Sequence, residues 1–234
     1  MRWEEISEMA APTDAMRGQV FYHGTSDTKS AKSIMRLGLK GVETQGKGQL
    51  APVAGKVYMT GDLSYAIMYA LGGNFTHAMM ERKDFSDPYG YVFVIKGSDL
   101  IDVQPDEDSV GEYLNKHSKV VGGSRRYAHD AVYGFDPSTG DQMDARIWHN
   151  LRHLVTDHQF KKIMDGEYAY YASGGKRALS KMPDWMKIEL INRGAHIAHG
   201  GSIKPSECWK IKKTDVSKLK KDGSNFFEVA ERIS

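Results

Sequence analysis

The stretch from residue 20 to residue 71 alternates short β-type runs with short helices, and this alternation constrains the fold more than any other feature of the sequence. Residues 20–22, Val-Phe-Tyr, form a β-type run that ends in His23-Gly24-Thr25-Ser26. Residues 27–37 carry apolar side chains at helical spacing, and Gly38 follows where a helix C-cap glycine belongs. A strand, a helix and a glycine turn are therefore expected in this order.

The next segments continue the pattern. Residues 41–55 contain four glycines and a proline and are expected to form a loop. Residues 56–59 predict a strand and residues 62–71 a helix. The nearly continuous apolar run at 91–95 is typical of a strand that is covered on both faces.

The second half of the chain mixes helices and strands less regularly. Helices are expected at 144–164 and 183–193, and strands at 195–199 and 209–211. Strands that are separated by helices and irregular loops, without a regular βαβ alternation, favour the α+β class.

A length of 234 residues suits one large domain or one domain with a sizeable insertion. We expect residues 1–17 to form an N-terminal helix and linker, and residues 18–214 to form the main domain. Within it, a mainly helical insertion is expected at about 105–190. Residues 215–234 are interpreted as a C-terminal tail.

Composition excludes several classes of protein. The formal net charge of +2 is too small for the whole chain to bind nucleic acid by electrostatics alone. Cys208 is the single cysteine, so an internal disulfide is excluded. No apolar run approaches the roughly 20 residues that span a bilayer, and the first residues lack the apolar stretch of a signal peptide. We therefore expect a cytoplasmic protein without a membrane partner.

One segment is locally basic. Residues 210–221 contain six lysines against one acid, Asp215. Such a run is most often a solvated surface, and the alternative is a contact for RNA, DNA or an acidic protein face. The lysines are Lys210, Lys212, Lys213, Lys218, Lys220 and Lys221.

The order of His23-Gly24-Thr25, a helix, and a Gly-rich loop that enters a strand bearing Tyr58 resembles the nicotinamide-binding half of the ADP-ribosyltransferase superfamily. The similarity is to its diphtheria-toxin-like and poly-ADP-ribose-polymerase-like branch. It covers residues 20–70 and 90–96, and returns more weakly at 195–211. The resemblance implies two small, mostly antiparallel sheets with NAD in the cleft between them. It also implies transfer of ADP-ribose from NAD to a macromolecular acceptor, either protein or nucleic acid.

The resemblance assigns a role to each residue of the first motif. It implies that His23 hydrogen-bonds the adenosine ribose of NAD, that the backbone of Gly24 holds the nicotinamide amide, and that Thr25 assists there. A glycine suits this position because a residue without Cβ lets a planar ligand approach the backbone closely.

The resemblance also implies an aromatic clamp. Tyr58 matches the family tyrosine on the second strand and Tyr69 a second tyrosine, and together they sandwich the nicotinamide. Aromatic faces suit a cationic pyridinium, with a cation–π contribution of roughly 0.5–2 kcal/mol. Ser64 lies in the small-residue segment between the two tyrosines and is counted with the NAD-binding residues.

The third polar position of the family is a glutamate that stabilises the oxocarbenium ion, and this chain departs from it. Residues 196–205 resemble the strand and glycine turn around that glutamate, and they place His196 in its position, with His199 three residues on. His196 could replace the acid as hydrogen-bond partner or base, an acid could come from elsewhere, or the protein could bind NAD-like ligands without transfer. The resemblance then implies transfer of a single ADP-ribose rather than a chain. The alternative acids are Glu207, Glu189, Glu107 and Glu112.

A related branch of the same fold offers a further alternative. RNA 2′-phosphotransferases of the same fold also open with His-Gly-Thr, and Arg125 and Arg126 could grip a phosphate. Those enzymes generally carry a histidine at the position of Tyr58, which disfavours this interpretation.

No metal site is predicted. His149, His153 and His158 lie on or near one expected helix, but the remaining ligands of a zinc site are missing. The acidic run at 106–108 lacks the other ligands of a calcium loop and is interpreted as a solvated turn.

Overall fold

The computed structural model describes residues 14–41, 54–72, 87–101, 103–120, 141–192, 196–220 and 222–234. These residues form helices and small antiparallel sheets, so the predicted α+β class is confirmed. The helices are α1 (Asp14–Arg17), α2 (Thr28–Leu37), α3 (Leu63–Ala70), α4 (Glu107–Val120), α5 (Asp141–Leu154), α6 (Asp157–Met164), α7 (Tyr168–Leu179), α8 (Asp184–Asn192) and α9 (Phe226–Val229). The strands are β1 (Val20–Thr25), β2 (Leu39–Lys40), β3 (Lys56–Met59), β4 (Tyr89–Lys96), β5 (Val103–Pro105), β6 (Ile197–Gly200), β7 (Ser202–Ile203), β8 (Glu207–Lys212) and β9 (Glu231–Arg232).

The chain divides into two compact units. The first takes its described residues from 14–41, 54–104 and 196–234, and it holds α1 to α3, α9 and the sheets. The second takes its described residues from 105–192 and holds α4 to α8. Within the described part of the chain, every helix is too short or too polar to cross a lipid bilayer.

The largest sheet of the first unit has the strand order β1-β4-β8-β9, and neighbouring strands are antiparallel. Its second strand, β4, is buried from Tyr91 to Ile95, which confirms the prediction of a strand covered on both faces. Helix α3 packs on one face of this sheet, where Ala66 and Ala70 join Val92 in a buried cluster. Strand β1 continues through Thr25, so the His-Gly-Thr motif lies within the strand and not after it.

Two smaller sheets complete the first unit. One has the order β3-β6-β5, with Tyr58 opposite Ala198, and the other pairs β2 with β7. The 3₁₀ turn Lys213–Lys218 follows β8 directly. The predicted C-terminal tail, residues 215–234, contains β9, which pairs with β8, and the fully buried side chain of Phe226.

The first two long helices of this unit begin and end where the sequence indicates. Asp27 accepts a hydrogen bond from the backbone N–H of Ser30 at 2.7 Å and so caps α2. Gly38 ends that helix with a φ of +80°, a conformation that glycine adopts without strain. Asp62 caps α3 in the same way. The helices predicted at 27–37 and 62–71 are thereby confirmed to within about a residue at each end.

Two other expectations concern residues that lie largely outside those described. The predicted N-terminal helix and linker at 1–17 overlap the described residues only at α1. The predicted loop at 41–55 overlaps them only at residue 41 and at residues 54–55, which form a turn before β3.

The second unit is helical, and its helix boundaries correct one prediction. The single helix predicted at 144–164 is two helices, because Thr156 caps α6. Thr156 and Gln159 form a reciprocal capping box, which starts a new helix where the apolar spacing had suggested continuation. The buried core comprises Val110, Leu114, Ile147, Leu151, Val155, Ile163, Tyr171, Ala178, Leu179, Met182, Met186 and Leu190.

The N-terminus of α4 corrects a second prediction. The acidic run at 106–108 is not a solvated turn: it begins the helix, and Glu107 is only 4% exposed. Helix α7, which the sequence analysis did not identify, packs against this end of α4. A Cβ on Gly175 would lie 1.9 Å from the Glu107 carbonyl oxygen, so glycine permits this close approach.

Candidate functional site

The edge strands β1 and β3 meet at one isolated pair of residues and then separate. Tyr22 N–H donates to the Thr60 carbonyl at 2.7 Å, and Thr60 N–H donates to the Tyr22 carbonyl at 3.0 Å. Because β1 lies at the edge of the four-stranded sheet and β3 at the edge of the three-stranded sheet, this bridge joins the two. Continued antiparallel pairing would next place Gly24 opposite Tyr58. The strands therefore split at residues that the sequence analysis selected for NAD binding.

The backbone polar groups of Gly24 face this split. The N–H and C=O of a strand residue point to the same edge of the strand, and the edge alternates from one residue to the next. Tyr22 directs both of its groups at Thr60, so Gly24, two residues further on, directs both of its groups toward the same edge. A donor and an acceptor side by side complement the carbonyl and NH₂ groups of a primary amide.

His23 spans the split from β1 to β3. Its Nδ1 lies 2.9 Å from the Tyr58 carbonyl oxygen, and since a carbonyl only accepts, Nδ1 carries the proton. Burial lowers the pKa of His23 below its usual 6.5, and the bond to Tyr58 offsets this only in part. The ring is therefore neutral at pH 7, and its Nε2 carries a lone pair that accepts a hydrogen bond.

Gly24 is also the point at which helix α3 touches the sheet. A Cβ at this position would lie 2.0 Å from the Ala66 carbonyl oxygen and 2.8 Å from the Ala70 nitrogen. On the neighbouring strand β4, a Cβ at Gly90 would lie 2.2 Å from the Ala70 carbonyl oxygen. The sequence analysis explained the glycine by ligand approach, and the structure supplies another reason, which is the close packing of α3 on β1 and β4.

Thr25 and the loop after it are held by the cap of α2. The Thr25 hydroxyl donates to Asp27 at 3.5 Å, the long limit of such a bond. The backbone hydrogen bond from Ser30 lowers the pKa of Asp27, so its carboxylate is charged at neutral pH. Thr25 is thus positioned by Asp27, directly after Gly24.

A buried lysine anchors the same loop from the far end of the chain. Lys213 is only 5% exposed, and its Nζ donates to the Ser26 carbonyl at 2.8 Å. Burial lowers the pKa of Lys213, while the charges of Asp87 and Asp27 oppose that shift. Asp87 in turn accepts from the Thr28 backbone N–H at 2.6 Å. This network connects the start of the 3₁₀ turn after β8 to the backbone that follows the His-Gly-Thr motif.

Three aromatic rings form a contiguous group on and beside α3. Tyr65 stacks on His196 with ring centroids 4.2 Å apart and planes inclined by 27°. Tyr69 meets Tyr65 edge-on at 5.4 Å and is 42% exposed. The structure thus brings His196 and Tyr69 together through Tyr65, a residue that the sequence analysis did not single out.

The register of β3 and β6 separates the two histidines at the predicted glutamate position. Directly opposite residues of an antiparallel pair share a face, so Val57 and His199 lie on one face and Tyr58 and Ala198 on the other. His199 is 2% exposed and Ala198 is 1% exposed, so both faces of β6 are covered. His196, two residues before Ala198, falls on the face of half-buried Tyr58. Of the two histidines, His196 is the one that shares a face with Tyr58.

Ser64 has a structural role in α3. Its hydroxyl donates to Asp62 Oδ1 at 2.7 Å, beside the backbone bond from Ser64 to the same oxygen at 2.8 Å. The sequence analysis placed Ser64 among the NAD-binding residues. The described contacts place it at the helix cap, and its assignment to NAD binding stays a prediction.

Glu207, an alternative source of the missing acid, is engaged within its own sheet. It accepts from the indole N–H of Trp209 at 2.7 Å and pairs with Arg232 at 3.2 Å. These contacts tie β8 to β9. The other three alternative acids, Glu107, Glu112 and Glu189, belong to the second unit.

The lysine-rich segment is not a uniform basic surface. Lys210 pairs with Glu231 at 2.8 Å and lies over the Tyr89 ring, and Lys218 pairs with Asp215 at 2.9 Å. With Lys213 buried, three of the six lysines have structural partners. Lys221, like Arg125 and Arg126, lies outside the described residues.

Among the residues that the structure describes, no group of three or more His, Cys, Asp or Glu side chains is arranged to hold a metal ion. His149 and His153 contact each other edge-on with ring centroids 4.5 Å apart. Burial and then the neighbouring His153 lower the pKa of His149. The pair is therefore a ring contact on the surface of α5.

Sequence reasoning missed two residues of this region, Tyr65 and Lys213. Tyr65 carried one signal, its i,i+4 spacing to Tyr69, which places both rings on one face of a helix. Lys213 carried none, because its burial depends on contacts with residues nearly two hundred positions away in the chain.

No protein-family model, curated protein or solved structure matches this chain. The resemblance described above is therefore carried by the residues themselves. The function has to be argued from their geometry.

Proposed function

We propose that this chain is an NAD-dependent mono-ADP-ribosyltransferase that modifies a macromolecular acceptor. One observation carries the proposal: β1 and β3 split after the Tyr22–Thr60 bridge, and the split is lined by the Gly24 backbone edge and by His23. This arrangement supplies, at one place, a donor and acceptor for an amide and a neutral imidazole for a hydroxyl.

The polar groups at the split match parts of the donor NAD. The N–H and C=O of Gly24 suit the nicotinamide amide, which offers one acceptor and two hydrogens. The free lone pair of His23 Nε2 suits a ribose hydroxyl as a hydrogen-bond donor. The half-buried ring of Tyr58 and the exposed ring of Tyr69 offer aromatic faces to the cationic pyridinium. These matches follow from the chemistry of the groups and support NAD as the substrate.

The proposed reaction exchanges one bond at C1″ of the nicotinamide ribose for another. The bond from C1″ to the nicotinamide nitrogen breaks, its electron pair stays on the ring nitrogen, and neutral nicotinamide leaves. An oxygen or nitrogen of the acceptor supplies the electron pair of the new bond to C1″ and gives up one proton. Positioning of the donor and stabilisation of the developing positive charge supply the catalysis.

We assign to His196 the role that a glutamate would have. It lies on the face of Tyr58 and stacks on Tyr65 of helix α3. A neutral imidazole can accept a hydrogen bond from a ribose hydroxyl or take up the acceptor's proton. Since a chain-building enzyme would need the acid, we expect single ADP-ribose units.

The first test is release of nicotinamide from NAD by the purified protein, with and without cell lysate as the source of acceptor. Release that depends on lysate and falls at least tenfold in Tyr58→Ala is expected, because a truncated clamp positions the pyridinium poorly. Tyr170→Ala is the matched control, since Tyr170 is also a half-buried tyrosine but lies in the second unit. Mass spectrometry of the labelled acceptor then identifies the modified group.

Two outcomes would count against the proposal. Equal loss of release in both tyrosine variants would remove Tyr58 from the site. No release in any lysate, together with calorimetric binding of NAD that Tyr58→Ala weakens, would show a binding module that does not transfer ADP-ribose.

A further inference from the structure

We propose that Tyr65 is a positioning residue: its ring fixes the orientation in which the His196 imidazole serves the reaction. This inference rests on the proposed function, because it concerns the same site. It adds a residue and a mode of action that the resemblance does not supply.

The contact between the two rings is the first step of the argument. Their centroids are 4.2 Å apart with planes 27° from parallel, which is a stacked arrangement. His196 lies one residue before β6, directly next to the residues that pair with β3. His196 is half-buried, and the face of Tyr65 covers one side of its ring.

The second step is that Tyr65 is itself held in place. Tyr69, one turn further along α3, supports it edge-on at 5.4 Å. The next residues on the helix, Ala66 and Ala70, are buried against the backbone at Gly24. The part of α3 that carries Tyr65 is therefore held in place against β1, the strand that carries His23 and Gly24.

The third step is that His196 is fixed from the other side by the register of β6. Ala198 lies opposite Tyr58, and the alternation of the strand places His196 on the same face. Pairing with β3 fixes where the His196 backbone lies, while Tyr65 fixes how its ring is turned. Both constraints are needed to point one ring nitrogen in a defined direction.

The test is a double-mutant cycle on nicotinamide release, with kcat and the KM for NAD measured separately. Tyr65→Phe retains the ring and is expected to stay within about threefold of the parent protein. Tyr65→Leu removes the stack and is expected to lower kcat by about tenfold, with the KM for NAD changed by less than about threefold. His196→Gln combined with Tyr65→Leu is expected to lose no more than His196→Gln alone, because Tyr65 acts through His196. Losses that multiply in the double variant, or a rise in KM alone for Tyr65→Leu, would overturn the positioning role.

A second measurement separates this inference from the proposed function. The imidazole protons of His196 are assigned by NMR from the signals that His196→Gln removes. They are expected to shift in Tyr65→Leu and to stay in place in Tyr65→Phe, because an aromatic ring above the imidazole displaces its resonances. Unshifted signals in Tyr65→Leu, with nicotinamide release intact, would overturn the inference while the proposed function stands. Absence of release from the parent protein in every lysate would overturn both.

Discussion

The pKa values of aspartate side chains are shifted in opposite directions in the two units of the chain. In the first unit, Lys213 is buried beside Asp27 and Asp87, and the pKa of each aspartate is lowered, that of Asp87 in spite of its burial. In the second unit, burial and neighbouring carboxylates raise the pKa of Asp106 to about 7 and that of Asp108 to about 6. Near neutral pH the first unit therefore holds compensated charges, while in the second unit the Asp106 carboxyl is still partly protonated.

This difference fixes the sign of the pH dependence in each unit. A carboxyl whose pKa is higher in the folded state binds its proton more tightly when folded, so it favours folding at low pH. A histidine whose pKa is lower in the folded state resists protonation when folded, so it favours folding at higher pH. Asp106 is of the first kind and His23 of the second. The two units should respond to acid in opposite directions.

The largest effect is expected from removing the compensating charge of the first unit. Lys213→Met keeps the apolar stem but leaves Asp27 and Asp87 without their cation and the Ser26 carbonyl without its donor. Breaking a buried charge network by one partner should lower the free energy of unfolding by about 3 kcal/mol, measured by urea denaturation at pH 7. Lys212→Met, at the exposed neighbouring position, is the control and should change it by less than about 0.5 kcal/mol. If the two substitutions lowered the free energy of unfolding equally, the Lys213 ammonium would not be stabilising the charges of Asp27 and Asp87.

The second effect concerns the acidic end of α4. The pKa of Asp106 rises from 3.8 to about 7 on folding, so the stability present at low pH is lost as the pH rises through this window. Between pH 5 and pH 8 the second unit should lose about 2 kcal/mol. Segment-resolved hydrogen exchange of α4, corrected for the intrinsic pH dependence of exchange, measures this loss of stability.

Asp106→Asn isolates the cause of that loss. Asparagine can still accept from the Asp108 N–H, which the aspartate does at 3.2 Å, but it does not titrate. The pH dependence of exchange in α4 should flatten in this variant. Asp184→Asn, at a side chain 52% exposed in the same unit, should leave it unchanged. A dependence that persists in Asp106→Asn would assign it to other groups of the same unit, such as Asp108 or His149.

The secondary-structure elements that were predicted best are those determined by residues close together in the chain. The strand at 56–59 and the helix at 27–37 were predicted because apolar spacing and a following glycine act locally. The buried run at 91–95 was predicted because a strand covered on both faces has few polar side chains.

The sequence failed where distant packing overrides local signals. Helix α7 contains Gly174 and Gly175, which disfavour a helix intrinsically, yet Gly175 permits contact with the Glu107 carbonyl. The same contact buries an acidic run that local composition predicts to be solvated.

At the site, the resemblance selected His23 and Tyr58, and the structure joins them by a hydrogen bond over 35 positions of the chain. It did not select Tyr65, because an aromatic residue at helical spacing is indistinguishable from core. Its contact with His196 depends on how β6 lies beside α3.

The smallest predicted effect is that of the pKa of His23, in the candidate site of the first unit. Burial lowers the pKa of His23 below 6.5, so its NMR titration midpoint should lie below that value, and His23→Gln should remove the corresponding rise in stability as the pH increases toward 6.5. The hydrogen bond to the Tyr58 carbonyl leads to a second prediction. The ¹⁵N shifts of the neutral ring should report a proton on Nδ1 and a lone pair on Nε2. A midpoint at or above 6.5, or a proton on Nε2, would remove the neutral acceptor on which recognition of a ribose hydroxyl depends. A midpoint at or above 6.5 would also leave His23 without the response to acid that is opposite to that of Asp106.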